Sequence, residues 1–333
     1  STPPAPFSDT TTQTPTAKQP ASSPASPALT SIPKYLQLTG FQHEYQTWNN
    51  CGPATLAMAL SYWEWEGDQR LIAAFAKTNP RDKNVMPYEL AAYVEEETEL
   101  EVVYRVGGEI ELLKRFLAAG FPVVLEKGFE GRDFDGWMGH YVLVTGYSDQ
   151  DQNFTFQDSY YGPNQVMDYT DLESYWRAFN FTYLVVYPAE RIKEVMAILG
   201  PQADEEFNIR YAAQKASDEI YTLNGRDQFF AWFNRGANLV SLQDFTDAAS
   251  AYDKAFALYP DIPEKERPWR LMWYQTGPYW AYYYSGRYQD VIELASTTLD
   301  AMSEPVLEES YYWRALAREA LGDTKGAIKD LRS

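Results

Sequence analysis

Between residues 33 and 188 the spacing of apolar and polar positions changes period several times. "GPATLAMALSYWEWEG" and "PYELAAYVEEE" place small and apolar residues three and four apart, which predicts helices with one buried face. "IELLKRFLAAG" predicts another, closed by Gly120 at a C-cap position. The pattern then switches. "FPVVLEK", "HYVLVTGYS", "NFTFQDS" and "FTYLVVYP" are short, β-branched and aromatic, and bounded by turn residues, so they read as strands. The five residues "SDQDQ" between the second and third have hairpin length. These elements predict an antiparallel sheet with helices packed against it, an α+β domain over 33–188. The acidic stretch "VEEETELE" (94–101) reads as a solvated turn region.

From Ala189 onward the strand pattern disappears. Residues 189–226 contain "AERIKEVMAIL" and "EEFNIRYAAQKASDEIY", which read as bridging helices. In "AWFNRGANLVSLQDFTDAASAYDKAFALYP" (231–260), Trp232, Gly236, Leu239, Ala248, Tyr252, Ala255 and Pro260 fall at the spacing of a 34-residue helix–turn–helix unit. Small residues at Gly236 and Ala248 let paired helices approach, and Pro260 ends the second helix. This segment resembles a tetratricopeptide repeat. "SGRYQDVIELA" and "YYWRALAREALGDTKGAIKDLRS" match it more weakly at the turn, so 227–333 is expected to be an all-α repeat domain. The aromatic run 270–284 is open to two readings, the packing core of the repeats or a peptide groove on them.

Composition narrows the functional classes. A formal net charge of −19 disfavours nucleic acid and anionic membrane surfaces. No run approaches the length of a transmembrane helix. Residues 1–32 hold seven Pro and thirteen Ser or Thr, a composition expected to stay disordered. Tethers of this kind hold exported domains away from a bacterial surface, and the opening without Met reads as a processed or trimmed chain. The expectation is therefore an exported, extracellular or surface-tethered bacterial protein.

The single cysteine, Cys51, excludes an internal disulfide and a Cys-rich zinc site, and no metal or organic cofactor is expected. A lone buried Cys is most simply a small apolar filler. "NNCGPAT" instead sets it where an extended segment turns into a helix, and a helix N-terminus stabilises a thiolate. His140 opens the strand "GHYVLVTGY" and is the candidate base, with a structural histidine as the plain alternative. Asp158 closes the next strand. If the two strands pair through "SDQDQ", it lies at the same sheet end as His140 and can orient the imidazole; otherwise it is a turn former. Gln46, five residues before Cys51, offers an amide donor for an oxyanion. His43, eight residues before Cys51, is expected at the surface.

"YQTWNNCGPATLAMAL", "LKRFLAAGFPVVLEK", "GHYVLVTGYSD" and "FTFQDSYYG" resemble the bacteriocin-processing, double-glycine-peptidase-like branch of the papain superfamily. The resemblance covers roughly residues 34–188. It implies a papain-like fold with Cys51 as nucleophile, His140 as base, Asp158 as orienter and Gln46 in the oxyanion hole. One position departs: Ser159 follows Asp158 where the family often has Pro. Together these features predict a cysteine peptidase acting on peptide or protein substrates, fused to a repeat module that binds a protein partner. The competing reading is a catalytically silent, peptidase-like scaffold of a cell-surface complex.

Overall fold

The alternation of apolar residues dictates how the sheet is covered. In the computed structural model, which describes residues 32–77, 79, 84–130, 136–302, 304 and 306–333, the chain opens with strand β1 (Tyr35–Gln37) and helices α1 (Cys51–Ser61), α2 (Gln69–Ala76) and α3 (Pro87–Glu97). Strand β2 (Leu100–Arg105), helix α4 (Ile110–Ala118) and strands β3 (Val123–Glu130), β4 (Trp137–Ser148), β5 (Asn153–Asp158) and β6 (Gly162–Asp168) follow. Helix α5 (Tyr169–Arg177) leads into the last strand, β7 (Tyr183–Pro188). The strands form one antiparallel sheet in the order β2-β7-β3-β4-β5-β6, with β1 paired to β4. Val124, Tyr141, Leu143 and Leu184 pack with Leu56, Met58, Leu60, Ile72 and Leu90 of the first three helices in one continuous core. The α+β expectation holds for this region.

The predicted β4–β5 hairpin is present, turning at Gln152 with φ of 54°. Gly120 follows α4 at φ of 80°, the left-handed backbone of a helix C-terminus. The reading of 94–101 as a turn needs correcting. Val94–Glu97 complete α3, Thr98 Oγ1 donates to the Val94 carbonyl, and Leu100–Arg105 pair with β7. Strand β2 lies at the sheet edge with Glu101 in water, and the acidic run just before it masks its start in the sequence. The tail 1–32 lies outside the described residues except for Ile32.

No strand follows Pro188 among the described residues. Helices α6 (Ile192–Leu199) and α7 (Glu205–Thr222) precede three helical pairs: α8 (Gly225–Ser241) with α9 (Phe245–Leu258), α10 (Gly277–Tyr284) with α11 (Tyr288–Asp300), and α12 (Glu308–Ala320) with α13 (Thr324–Asp330). Each pair turns in the same way. Gln243, Gly286 and Gly322 hold φ of 61°, 72° and 85°, and the N–H of the following residue returns to Leu239, Tyr282 and Arg318 respectively. A Cβ on Gly236 would stand 2.7 Å from the Tyr252 ring, so the first pair packs as closely as its small residues allow. None of the described helices is long and apolar enough to cross a membrane.

The sheet and the helical pairs share a core. Trp137 and Phe179 from the sheet region pack with Phe229, Phe230, Tyr252 and Tyr274. Polar bonds fringe this contact: Arg177 pairs with Glu219 and Asp227, Asn180 with Asn238, and Arg226 with Glu130. Residues 33–333 accordingly form one compact unit. Phe230→Ala is expected to remove about 3–5 kcal/mol from that whole unit. Urea unfolding followed by helical circular dichroism and by exposure of Cys51 to a thiol reagent should shift together; a shift in the first signal alone would refute the shared core.

Candidate active site

Asn50 leads into α1 and Cys51 is its first residue, with Pro53 in the opening turn where a missing N–H leaves no bond unmade. The N–H groups of Gly52 and of Tyr141 on β4 point to the Cys51 sulfur. A Cβ on Gly52 would lie 3.3 Å from the Tyr141 ring, so glycine lets the helix start press against the strand that carries His140.

His140 is 2% exposed and faces Lys127 across the β3–β4 ladder. Its ring stacks on Phe129 with centroids 4.5 Å apart. Nε2 lies 3.0 Å from Asp158 Oδ1, and the imidazole also hydrogen-bonds the Cys51 thiol, which leaves Nδ1 on the sulfur side. Pairing Leu143 with Gln157 sets Asp158 on the diagonal from His140 at the same end of the sheet, and a register shift between Phe156 and Asp158 in the β5–β6 ladder re-aims the carboxylate. Asp158 Oδ1 also accepts the N–H groups of Tyr160 and Tyr161, at 2.8 and 3.1 Å.

The electrostatics follow from this row. Burial would lower the His140 imidazole, but Asp158 and then Cys51 push it up to about 9. Burial would raise the Cys51 thiol, but the His140 hydrogen bond and charge, with the two N–H donors, bring it below its ordinary value. Burial likewise opposes ionisation of Asp158, yet His140 and the two tyrosine N–H groups hold it well below the usual carboxylate range. The arrangement suits a thiolate–imidazolium pair backed by a carboxylate. Behind it, burial lowers Lys127 to about 8, against the pull of Asp158.

Gln46 belongs to a segment pinned by side chains. Gln69, 6% exposed, accepts from the N–H and hydroxyl of Thr47 and donates to Glu44 and to the Tyr45 carbonyl. Gln46 N–H donates to the Ser159 carbonyl, and Ser159 Oγ donates to Gln46 Oε1 at 2.9 Å. Ser159 thereby takes the acceptor end of the amide and leaves its NH₂ as a donor. A proline at 159 has no hydroxyl to do this. Sequence reading missed Gln69 and the role of Ser159. Only the departure from the Asp–Pro pattern marked the latter. His43 is half-buried rather than at the surface; its Nδ1 is 3.3 Å from Gln157 Oε1 and it lines a different cavity from Cys51.

Cys51, His140 and Gln46 open together onto a cavity of about 450 Å³, beside Trp48, which is 80% exposed. Part of its lining comes from far along the chain, from Trp273, Tyr274 and Met302. Most of the aromatic run 270–284 is core, including Leu271, Met272, Tyr279 and Tyr282, while Trp273 stays half-exposed in the cavity.

Residues 30–184 match the Peptidase_C39 like family, and residues 229–262 match the tetratricopeptide repeat. No curated protein matches the chain. Among solved structures, the peptidase domain of Streptococcus ComA, a bifunctional ABC transporter involved in quorum sensing, is 15% identical. That match covers 45% of this chain and 99% of that one, with a TM-score of 0.36. A double glycine motif protease from an AMS/PCAT transporter, solved with a leader peptide, is 17% identical over 46% of this chain and 95% of its own, with a TM-score of 0.36. Xylellain, a cysteine protease from Xylella fastidiosa, is 15% identical over 48% and 87%, with a TM-score of 0.37. The two family models bear out the peptidase-like and repeat resemblances read from the sequence motifs.

Iodoacetamide alkylation of Cys51 is expected to stay fast well below the free-thiol value of about 8.5, and to lose that low-pH reactivity in His140→Ala. In Asp158→Asn the imidazole should titrate below the value of about 9 expected for the parent chain, as read by NMR.

Proposed function

We propose that this protein is a cysteine peptidase, hydrolysing peptide or amide bonds at Cys51, with the repeat module engaging protein. The observation that carries the reading is the Cys51–His140–Asp158 row opening onto the cavity that Gln46 also lines. The Cys51 thiolate attacks the scissile carbonyl, forming the C–S bond, and the carbonyl electrons move onto oxygen. The Gln46 amide and the Cys51 N–H hold that oxyanion. The intermediate collapses as the His140 imidazolium gives its proton to the leaving amine. The neutral imidazole then takes a proton from water, hydroxide adds to the thioester, and Cys51 leaves as thiolate. Asp158 keeps the imidazole aligned and compensates its charge throughout.

The test is to incubate the full chain with a peptide library and read cleavage by mass spectrometry. Products from the parent chain and none from Cys51→Ala support the reading. No products from either, with peptide retained by both, would leave the silent scaffold. Gln46→Ala is expected to lower kcat by about 10²–10³, with Ser159→Ala intermediate and KM little changed in both. The activity's acid limb should lie below the ordinary thiol range. Its alkaline limb should fall near the His140 value of about 9, where the imidazolium loses the proton owed to the leaving group.

A further inference from the structure

The repeat stack is interrupted where it meets the cavity. Tetratricopeptide units recur every 34 residues or so with short connections. Here Leu258 ends α9 and Gly277 begins α10, and the chain between them runs through short 3₁₀ turns. Trp273 and Tyr274 sit on this excursion, and Met302 on the next connection at the same end, between α11 and α12. All three line the cavity that holds Cys51.

The excursion is bolted to the sheet beside the base. Arg270 Nη1 donates to the Trp137 carbonyl at 3.0 Å, and its guanidinium lies 3.8 Å from the Trp269 ring centroid. Gln275 Nε2 donates to the Ala178 carbonyl at 2.6 Å. Tyr274 is buried, hydrogen-bonds Gly139 and packs its ring against Trp137 and Phe179. A Cβ on Gly139, the residue before His140, would stand 2.7 Å from Phe179 and 2.9 Å from Tyr274. The glycine is what admits the helical region this close to the base. Trp48, Phe129 and Met138 line the cavity together with Trp273 and Met302, with Arg270 and Glu304 also on its lining.

Resting on the peptidase reading above, we infer that these inter-repeat connections form the substrate-selecting wall of the cleft, and that Trp273 and Met302 seat an apolar side chain next to the scissile bond. The repeats thereby act in specificity and not solely as a separate binding module. An apolar pocket of this kind gives a preference of about 10–200-fold for the side chain that fills it.

The experiment uses the full chain and two reagents with one reacting group, iodoacetamide and N-benzyliodoacetamide, scored by second-order alkylation rates of Cys51. The parent chain should prefer the benzyl reagent about tenfold or more. Trp273→Ala and Met302→Ala should each cut that preference several-fold, read as the ratio of the two rates in each variant. If Trp273→Ala also slows iodoacetamide, the preference shown by Met302→Ala decides, since it lies in a different connection. No benzyl preference in the parent chain, or the same preference in both variants, overturns the inference. Failure of the peptidase reading is separate: it appears as iodoacetamide reactivity confined to the ordinary thiol range, whatever the benzyl ratio.

Discussion

A charged imidazole at His140 has almost no contact with water, and an isolated buried charge of that kind is too costly to persist. It is tolerable only with negative charge at both ring nitrogens. Asp158 supplies one and the Cys51 sulfur the other. Asp158 is itself 5% exposed, so it in turn needs the N–H groups of Tyr160 and Tyr161. This chain of compensation fixes the geometry around it. A one-residue slip of β5 against β4 would turn Asp158 to the other face and strand the imidazolium. The register, the irregularity before Asp158 and the close packing of Gly52 on Tyr141 all serve a single row of alternating charge.

The helical region stabilises that row by the same means that it shapes the cavity. Trp137, at the start of the strand that carries His140, is 1% exposed because Phe179, Phe230 and Tyr274 enclose it. The polar fringe, such as Asn234 donating to the Arg177 carbonyl, satisfies backbone groups at the boundary. A repeat module on a flexible linker could recruit a substrate but could not wall a cleft to within ångströms. A shared core can.

Legibility in the sequence divides by range. Helices α1, α3 and α4 and the strands in the buried centre of the sheet could be read directly, whereas the short helices α2 and α5 were not; Cys51, His140, Asp158 and Gln46 could be read as one ordered set. Strands β1, β2 and β6 escaped because they are short or partly exposed, so neither alternation nor β-branched enrichment marks them. Gln69 and Ser159 escaped because one opens a short helix and the other sits in a turn, and both act on the irregular segment that carries Gln46, where no period places a side chain. The cavity wall was least visible: bringing Trp273 beside His140 depends on how two regions pack, and no local pattern encodes that. Of the two readings left open for its aromatic run, most of the run packs as core, while Trp273 lines the cavity.

The shared core has one more electrostatic consequence. Glu126 lies near Cys51, 4% exposed; ionised, it would set a second negative charge beside the thiolate and push the thiol up. Burial instead raises its carboxyl well above the usual range, against the Tyr141 hydrogen bond, which favours the neutral acid beside the thiolate. Glu126 lines a second cavity together with Tyr252 and Tyr274, residues of the helical region. The helical region thus shares in the burial that favours the neutral acid, and through it in the surroundings of the Cys51 sulfur.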